Sequence, residues 1–187
     1  MSTLDNYLTQ LETAIHNLSR EDIEAVVEAL LHNLRSGKRV FIIGNGGSAA
    51  TASHMMNDLN KSTVVKGQPR FQALALTDNV PLLTAWANDA SYDDVFVEPL
   101  RNFLQPGDML IAISTSGESP NVVKAVQYAN TQGAVTVAFT GDKGGQLAAL
   151  AKLVVRIPAS HIGQQEDGAM ILNHAIVHAL KHRLLAA

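Results

Sequence analysis

Val40-Phe41-Ile42-Ile43 runs without a polar residue into Gly44-Asn45-Gly46-Gly47-Ser48-Ala49, and a helical pattern follows from Ser48. An unbroken apolar run is what a parallel strand covered on both faces requires. The glycines let the backbone turn tightly and approach a ligand with no Cβ between them. The helix that follows offers unpaired N–H groups and a positive dipole end, both of which favour an anion. Asn45 and Ser48 can add side-chain hydrogen bonds.

The arrangement recurs at Met109–Ser114, which leads into STSGES, Ser114–Ser119, and another helix. Ser114, Thr115, Ser116 and Ser119 place four hydroxyls within six residues. Ser119-Pro120 reads as an N-cap followed by proline at the first helical position. One serine serves the cap, and the remaining hydroxyls suit phosphate oxygens. Neither loop contains lysine or arginine, which points to a monophosphate held by dipoles. The plainer alternative, for each loop alone, is ordinary turn and capping chemistry.

Outward from these loops the chain alternates strand and helix. Strands are expected at Val40–Ile43, Phe71–Leu76, Met109–Ser114, Val135–Thr140 and Leu153–Ile157. Helices are expected at Ser48–Asn60, Val80–Asn88, Tyr92–Phe103, Asn121–Thr131 and Gly163–Leu185. Such βαβ alternation predicts an α/β fold, a doubly wound parallel sheet of about five strands. Both loops then fall beyond the carboxyl ends of strands, where ligands bind in open sheets. Residues 1–36 read as a helical hairpin ahead of the α/β core at 37–187, the whole forming one domain. Leu4, Leu8, Leu11, Ile15 and Leu18 line the first helix behind a Ser2–Asp5 capping box. Ser19 and Asp22 repeat the signal before the second helix, which Gly37 ends.

Composition narrows the function. The 187 residues are 47% hydrophobic and 17% charged, with formal net charge −3. No basic field attracts nucleic acid. With no cysteine, disulfides, thiolate metal sites and cysteine nucleophiles are excluded. The polar, acidic N-terminus is not a signal peptide, and no apolar run reaches the ~18 residues of a membrane span. The expected setting is cytoplasmic. Gly44-x-Gly46-x-x-Ala49 matches a dinucleotide fingerprint, but its acidic ribose partner belongs about 20 residues on. The nearest candidate, Asp78, lies 34 residues after Gly44, and no Walker sequence is present, so no nucleotide is expected.

GNGGSA, LTDNVPLLTAWANDASYDDVF, ISTSGESPNVVKA and FTGDKGG occur in this order. In these motifs the chain resembles the sugar isomerase (SIS) domain family, and within it the phosphoheptose isomerases, over nearly its whole length. The resemblance implies a three-layer αβα sandwich assembled as a homotetramer. It implies phosphate on Ser114, Thr115, Ser116 and Ser119, with Asn45, Gly46, Gly47 and Ser48 lining the substrate and Asn88 and Asp89 near its hydroxyls. Without it, Asn88-Asp89 reads as a solvated turn after a helix. The implied activity is a ketose–aldose isomerisation converting sedoheptulose 7-phosphate to D-glycero-D-manno-heptose 7-phosphate, for surface polysaccharide.

His54 and Asp58 lie four apart on the helix opened by GNGGSA, on one face. That spacing suits a metal ligand pair, an acid–base pair, or a solvated face with a local hydrogen bond. By resemblance, Glu166 and His174 match positions that bind zinc together with His54 and Asp58. Relatives usually carry glutamate in place of Asp58 and glutamine in place of Glu166. Eight helical residues span about 12 Å, so Glu166 and His174 share one metal only if Glu166 precedes the regular helix. Glu166 is otherwise expected among the substrate contacts, and His178 and His182 on the surface. Asp58 and His174 are the expected proton-transfer pair. The competing expectation is a non-catalytic SIS protein, a phosphosugar sensor or a protein-binding regulator like the initiator-associating protein that binds DnaA. A nicotinamide oxidoreductase is a more distant third.

Overall fold

Two helices precede the sheet. The computed structural model describes residues 2–186, and α1 (Thr3–His16) begins on a reciprocal capping box. The Ser2 hydroxyl accepts from Asp5 N at 3.1 Å, and the Asp5 carboxylate accepts from Ser2 N at 2.9 Å. In α2 (Arg20–Arg35) the Ser19 hydroxyl accepts from Asp22 N, and Gly37 closes the helix at φ +65°. Val26, Val27, Leu30, Leu31 and Leu34 bury one face of α2. The leucine stripe of α1 behaves differently: Leu4 and Leu8 are 65% and 54% exposed, while Ala14 and Leu18 are buried.

The α/β core then runs β1 (Arg39–Gly44), α3 (Gly47–Asn57), a π-helical turn (Asp58–Ser62) and β2 (Gln72–Ala75). It continues through α4 (Val80–Asp89), a 3-10 turn (Tyr92–Asp94), α5 (Val97–Phe103), β3 (Met109–Ser114) and α6 (Pro120–Thr131). It ends with β4 (Val135–Gly141), α7 (Gly145–Leu150), β5 (Leu153–Ile157) and α8 (Ile162–Ala186). The five strands are all parallel, in the order β2-β1-β3-β4-β5. This is the doubly wound sheet that the alternation of patterns implied.

Side chains alternate across the sheet and divide the core in two. Val40, Ile42, Met109 and Ile111 pack towards α2, α3 and α8. Phe41, Ile43, Leu110 and Ala112 pack towards α5, α6 and α7. The result is three layers, with the sheet between two helical sheets of cover.

Three stretches depart from expectation. The helix expected at Ser48–Asn60 changes to a π turn at Asp58, where the Asn60 amide exchanges hydrogen bonds with the Ala73 backbone of β2. The stretch at Tyr92–Phe103 is two pieces, because Val95 and Phe96 both turn into the core between them. The short α7 had no periodic signal in six residues.

Candidate functional site

β1 is flanked by β2 on one side and β3 on the other. The chain leaves β1 towards one edge of the sheet and β3 towards the other, opening a crevice at their carboxyl ends. Gly44 and Ile113 pair in register there, so the two glycine-containing loops face each other across it.

In the first loop Gly46 takes φ +55° and stands at the start of α3, where no side chain caps the helix. The first N–H groups of α3 therefore remain available to an anion. The second loop is braced from outside. Gly117 adopts φ +67°, and a Cβ there would overlap the Gly144 carbonyl oxygen. Leu147 N donates to Gly117 O at 3.1 Å and Gly141 N to Thr115 O at 2.9 Å. The Glu118 carboxylate accepts from Gln146 N at 2.9 Å and Gln146 Nε2 at 2.6 Å. The Gly-rich segment after β4 thus supports the hydroxyl loop.

Ser114 Oγ lies 3.3 Å from Ser119 Oγ and 3.5 Å from Ser116 Oγ. Ser119 occupies the N-cap position of α6, yet its hydroxyl makes no capping bond. It turns towards Ser114 instead, which leaves it free to serve a ligand. A cavity of 260 Å³ lies between the loops, lined by Asn45, Gly46, Gly47 and Ser48 on one side and Ser114, Thr115 and Ser119 on the other. Ile162 and Glu166, from the start of α8, close it. Ser116 faces an adjoining cavity of 650 Å³, which shares Thr115 and Ile162.

Asn45 is itself tied down. It and Asn121 exchange two side-chain hydrogen bonds, each 2.9 Å, and Tyr92 Oη donates to Asn45 Oδ1 at 3.1 Å. Asn121 is 1% exposed and also accepts from Val122 N. Sequence reasoning missed Asn121 and Tyr92; the signal was a polar residue on the buried, valine-rich face of α6. Asn88 and Asp89 lie at the exposed end of α4, where Asn88 Nδ2 donates to Asp89 Oδ1 at 2.8 Å. They line neither of these cavities.

A second cluster lies along the seam of α3 and α8. His54 Nε2 is 3.2 Å from Asp58 Oδ2, His174 Nε2 is 3.8 Å from the same oxygen, and the two Nε2 atoms are 3.0 Å apart. Asp58 is buried while both histidines reach solvent. Each of the three offers one ligand atom, all within 4.8 Å of one another. Asp58 also accepts from Asn173 Nδ2 at 3.1 Å and Ser62 Oγ at 3.3 Å.

Glu166 is not with them. It belongs to regular α8, eight residues and about 12 Å of helix rise before His174. Its carboxylate rests on Gly47, at a point where a Cβ would collide with it. The condition under which Glu166 and His174 would share one metal is therefore not met: the described residues bring three candidate ligands together, and Glu166 lines the cavity between the loops. His178 joins Asp58, Ser62, His174 and Lys181 around a 310 Å³ hollow, and His182 is exposed.

Near the start of α8, Tyr7 Oη donates to Asp167 Oδ2 at 2.6 Å. That bond, with partial burial and the negative charges of Asp167 and Glu166, holds the Tyr7 phenol above its ordinary value. The acidic start of α8 is thereby tied to α1.

Comparison with known proteins places this arrangement. The SIS domain profile matches residues 5–141. The phosphoheptose isomerase of Mycobacterium tuberculosis (strain ATCC 25177 / H37Ra) is 40% identical over 166 residues, covering 89% of this chain and 84% of the relative. The structure of phosphoheptose isomerase from Neisseria gonorrhoeae aligns with TM-score 0.87 and 29% identity, covering 96% of this chain and 95% of that one. The structure of a phosphoheptose isomerase from Francisella tularensis aligns with TM-score 0.88 and 25% identity, covering 97% of this chain and all, 100%, of that one. The glycine loop, the hydroxyl loop and the fold that sets them face to face thus have one origin: the chain belongs to the SIS domain family, among the phosphoheptose isomerases.

Proposed function

We propose that this protein is a ketose–aldose isomerase that converts sedoheptulose 7-phosphate to D-glycero-D-manno-heptose 7-phosphate. One observation carries the assignment beyond the family. The anion cradle stands at the starts of α3 and α8, and the His54–Asp58–His174 cluster lies further along the same two helices. His54 lies seven residues along α3 from Gly47, about 10 Å of rise. The separation suits an extended seven-carbon chain, with its phosphate in the cradle and its carbonyl end at the imidazoles.

The phosphate is held by the hydroxyls of Ser114, Thr115, Ser116 and Ser119 and by the N–H groups at the starts of α3 and α6. Asn45, Gly46, Gly47, Ser48 and Glu166 face the adjoining carbons, and the resemblance assigns Asn88 and Asp89 to the sugar hydroxyls, outside the two cavities. The reaction needs a base for the proton on C1 and an acid for the carbonyl oxygen at C2. Asp58 and His174 form the pair that removes the C1 proton and returns one to C2. Oxygen O2 gains a proton as O1 loses one, so the aldose forms with no net change in atoms.

The same cluster fits a divalent cation. Two imidazole nitrogens and one carboxylate oxygen, with room for a fourth ligand, are a donor set that zinc accepts. His54, Asp58 and His174 would hold the ion, which when bound supplies Lewis-acid polarisation of the substrate oxygens.

The protein acts in the cytoplasm as a homotetramer. Among the described residues no helix is long and apolar enough to cross a membrane. Leu4 and Leu8 on α1, and an α4 with no buried residue, are faces that another copy would cover. Light scattering on the purified protein tests the assembly.

The decisive experiment is incubation with sedoheptulose 7-phosphate, with and without zinc, while aldose formation is followed by NMR. Turnover is expected. No turnover under either condition, with the sugar phosphate still raising the melting temperature, would leave a binding protein in place of an enzyme.

A further inference from the structure

We infer that Asn173 is a positioning residue: its side-chain amide sets the rotamer of Asp58 so that Asp58 Oδ2 faces His54 and His174. The activity and zinc readouts of this inference rest on the reading above, and the rotamer of Asp58 does not.

Asn173 is 0% exposed, in the middle of α8 among Leu172, Ile176 and Val177. Its Nδ2 donates to Asp58 Oδ2 at 3.1 Å, while its Oδ1 has no partner among the described residues. An amide carbonyl left dry in a core is a net penalty, which an apolar side chain of the same volume escapes. Packing therefore gives no reason for an asparagine at this position. The bond to Asp58 does. The carboxylate also fixes which end of the amide faces it, since a carboxylate oxygen accepts and an amide oxygen cannot donate.

The backbone of Asp58 is anchored independently. Asn60, two residues along the π turn, exchanges hydrogen bonds of 2.8 and 2.9 Å with the Ala73 backbone. Lys181 Nζ, from α8, donates to Ser62 O at 2.9 Å and Val64 O at 3.3 Å. With the main chain pinned on both sides, the freedom left to Asp58 is in its side-chain torsions. On Oδ1 the donors are Ser62 Oγ at 3.3 Å and Asn57 Nδ2 at 3.4 Å. The Asn173 bond is shorter than either and wholly buried, and it acts on the oxygen that the imidazoles share. Asn173 also immediately precedes His174, so one turn of α8 locates both the carboxylate and an imidazole beside it.

The test is Asn173→Leu, which keeps the number and branching of the side-chain heavy atoms and removes the donor. Zinc affinity, measured by calorimetry, is expected to fall about tenfold, as when a partner that orients a metal ligand is lost. With sedoheptulose 7-phosphate, kcat falls while KM stays near the wild-type value. Melting of the metal-free protein is unchanged or raised, which a merely structural asparagine would not allow. A lower melting temperature with unaltered zinc affinity and kcat overturns the inference. If the leucine variant fails to fold, Asn173→Ala is read by zinc affinity and kcat alone, because truncation leaves a cavity that lowers melting in any case. A crystal structure of either variant decides independently: Asp58 turned from the histidines supports the inference, and Oδ2 still facing them overturns it. A wild-type protein that neither binds zinc nor turns over the sugar would defeat the isomerase assignment, and the Asp58 rotamer would still judge Asn173.

Discussion

Glu166 lays its carboxylate across Gly47, at the point where the first turn of α3 opens onto the cavity between the loops. A negative group thus stands beside an anion site, at a helix end whose dipole attracts it. The hydroxyl loop, up to Ser119 at the start of α6, lines the other side of the same cavity.

Removing that charge tightens binding of the anion. Glu166→Gln is expected to improve inorganic phosphate affinity about three- to fivefold, on the order of 1 kcal/mol for an exposed charge pair. The gain shrinks at high salt. Calorimetry at two ionic strengths reads both, and an unaltered dissociation constant would place the phosphate elsewhere.

Ser119 sits at a helix N-cap without capping. Loss of a working N-cap typically costs ~1 kcal/mol, so Ser119→Ala should leave the melting temperature within experimental scatter. Its effect should appear in KM for the sugar phosphate, which rises several-fold as one hydroxyl contact is lost. A fall in stability with KM unchanged would assign Ser119 to capping after all.

The histidines separate chemistry from binding. His174→Ala is expected to lower kcat about 10²- to 10⁴-fold, the range for loss of an acid–base group. His54→Ala should act in the same direction, and both substitutions should weaken zinc binding, since each removes a ligand nitrogen. Both variants should retain thermal protection by phosphate, because the cradle is about 10 Å away along α3. Loss of that protection would mean that cradle and cluster are one site.

Tyr7 gives a pH dependence of defined sign. Its folded value lies above the ordinary one, chiefly through its hydrogen bond to Asp167. Stability from the contact is therefore complete below the ordinary phenol value near 10 and is lost as pH rises through the higher folded value. Melting curves at alkaline pH should fall more steeply for the wild type than for Tyr7→Phe. Parallel curves would dissociate Tyr7 from the attachment of α1.

β1, β3 and β4 were legible because burial on both faces leaves near-continuous apolar runs, and each matches to within a residue at each end. The loops were legible because glycine and serine have few reasons to cluster there. Asn121 was not, since one asparagine in an apolar helix face has no periodicity of its own. Glu166 and His174 were legible as residues, while their separation depended on where α8 begins. The exposed leucines of α1 show the limit of periodicity, which marks an apolar face without saying whether anything packs on it.

The paired amides of Asn45 and Asn121 constrain how this site can change over generations. Each donates to and accepts from the other, so replacing Asn45 leaves the buried Asn121 Nδ2 without its acceptor. Neither loop can drift alone. A lineage that replaces this amide pair must substitute two residues, 76 positions apart in the chain, in close succession, or reach the new pair through a weakened intermediate.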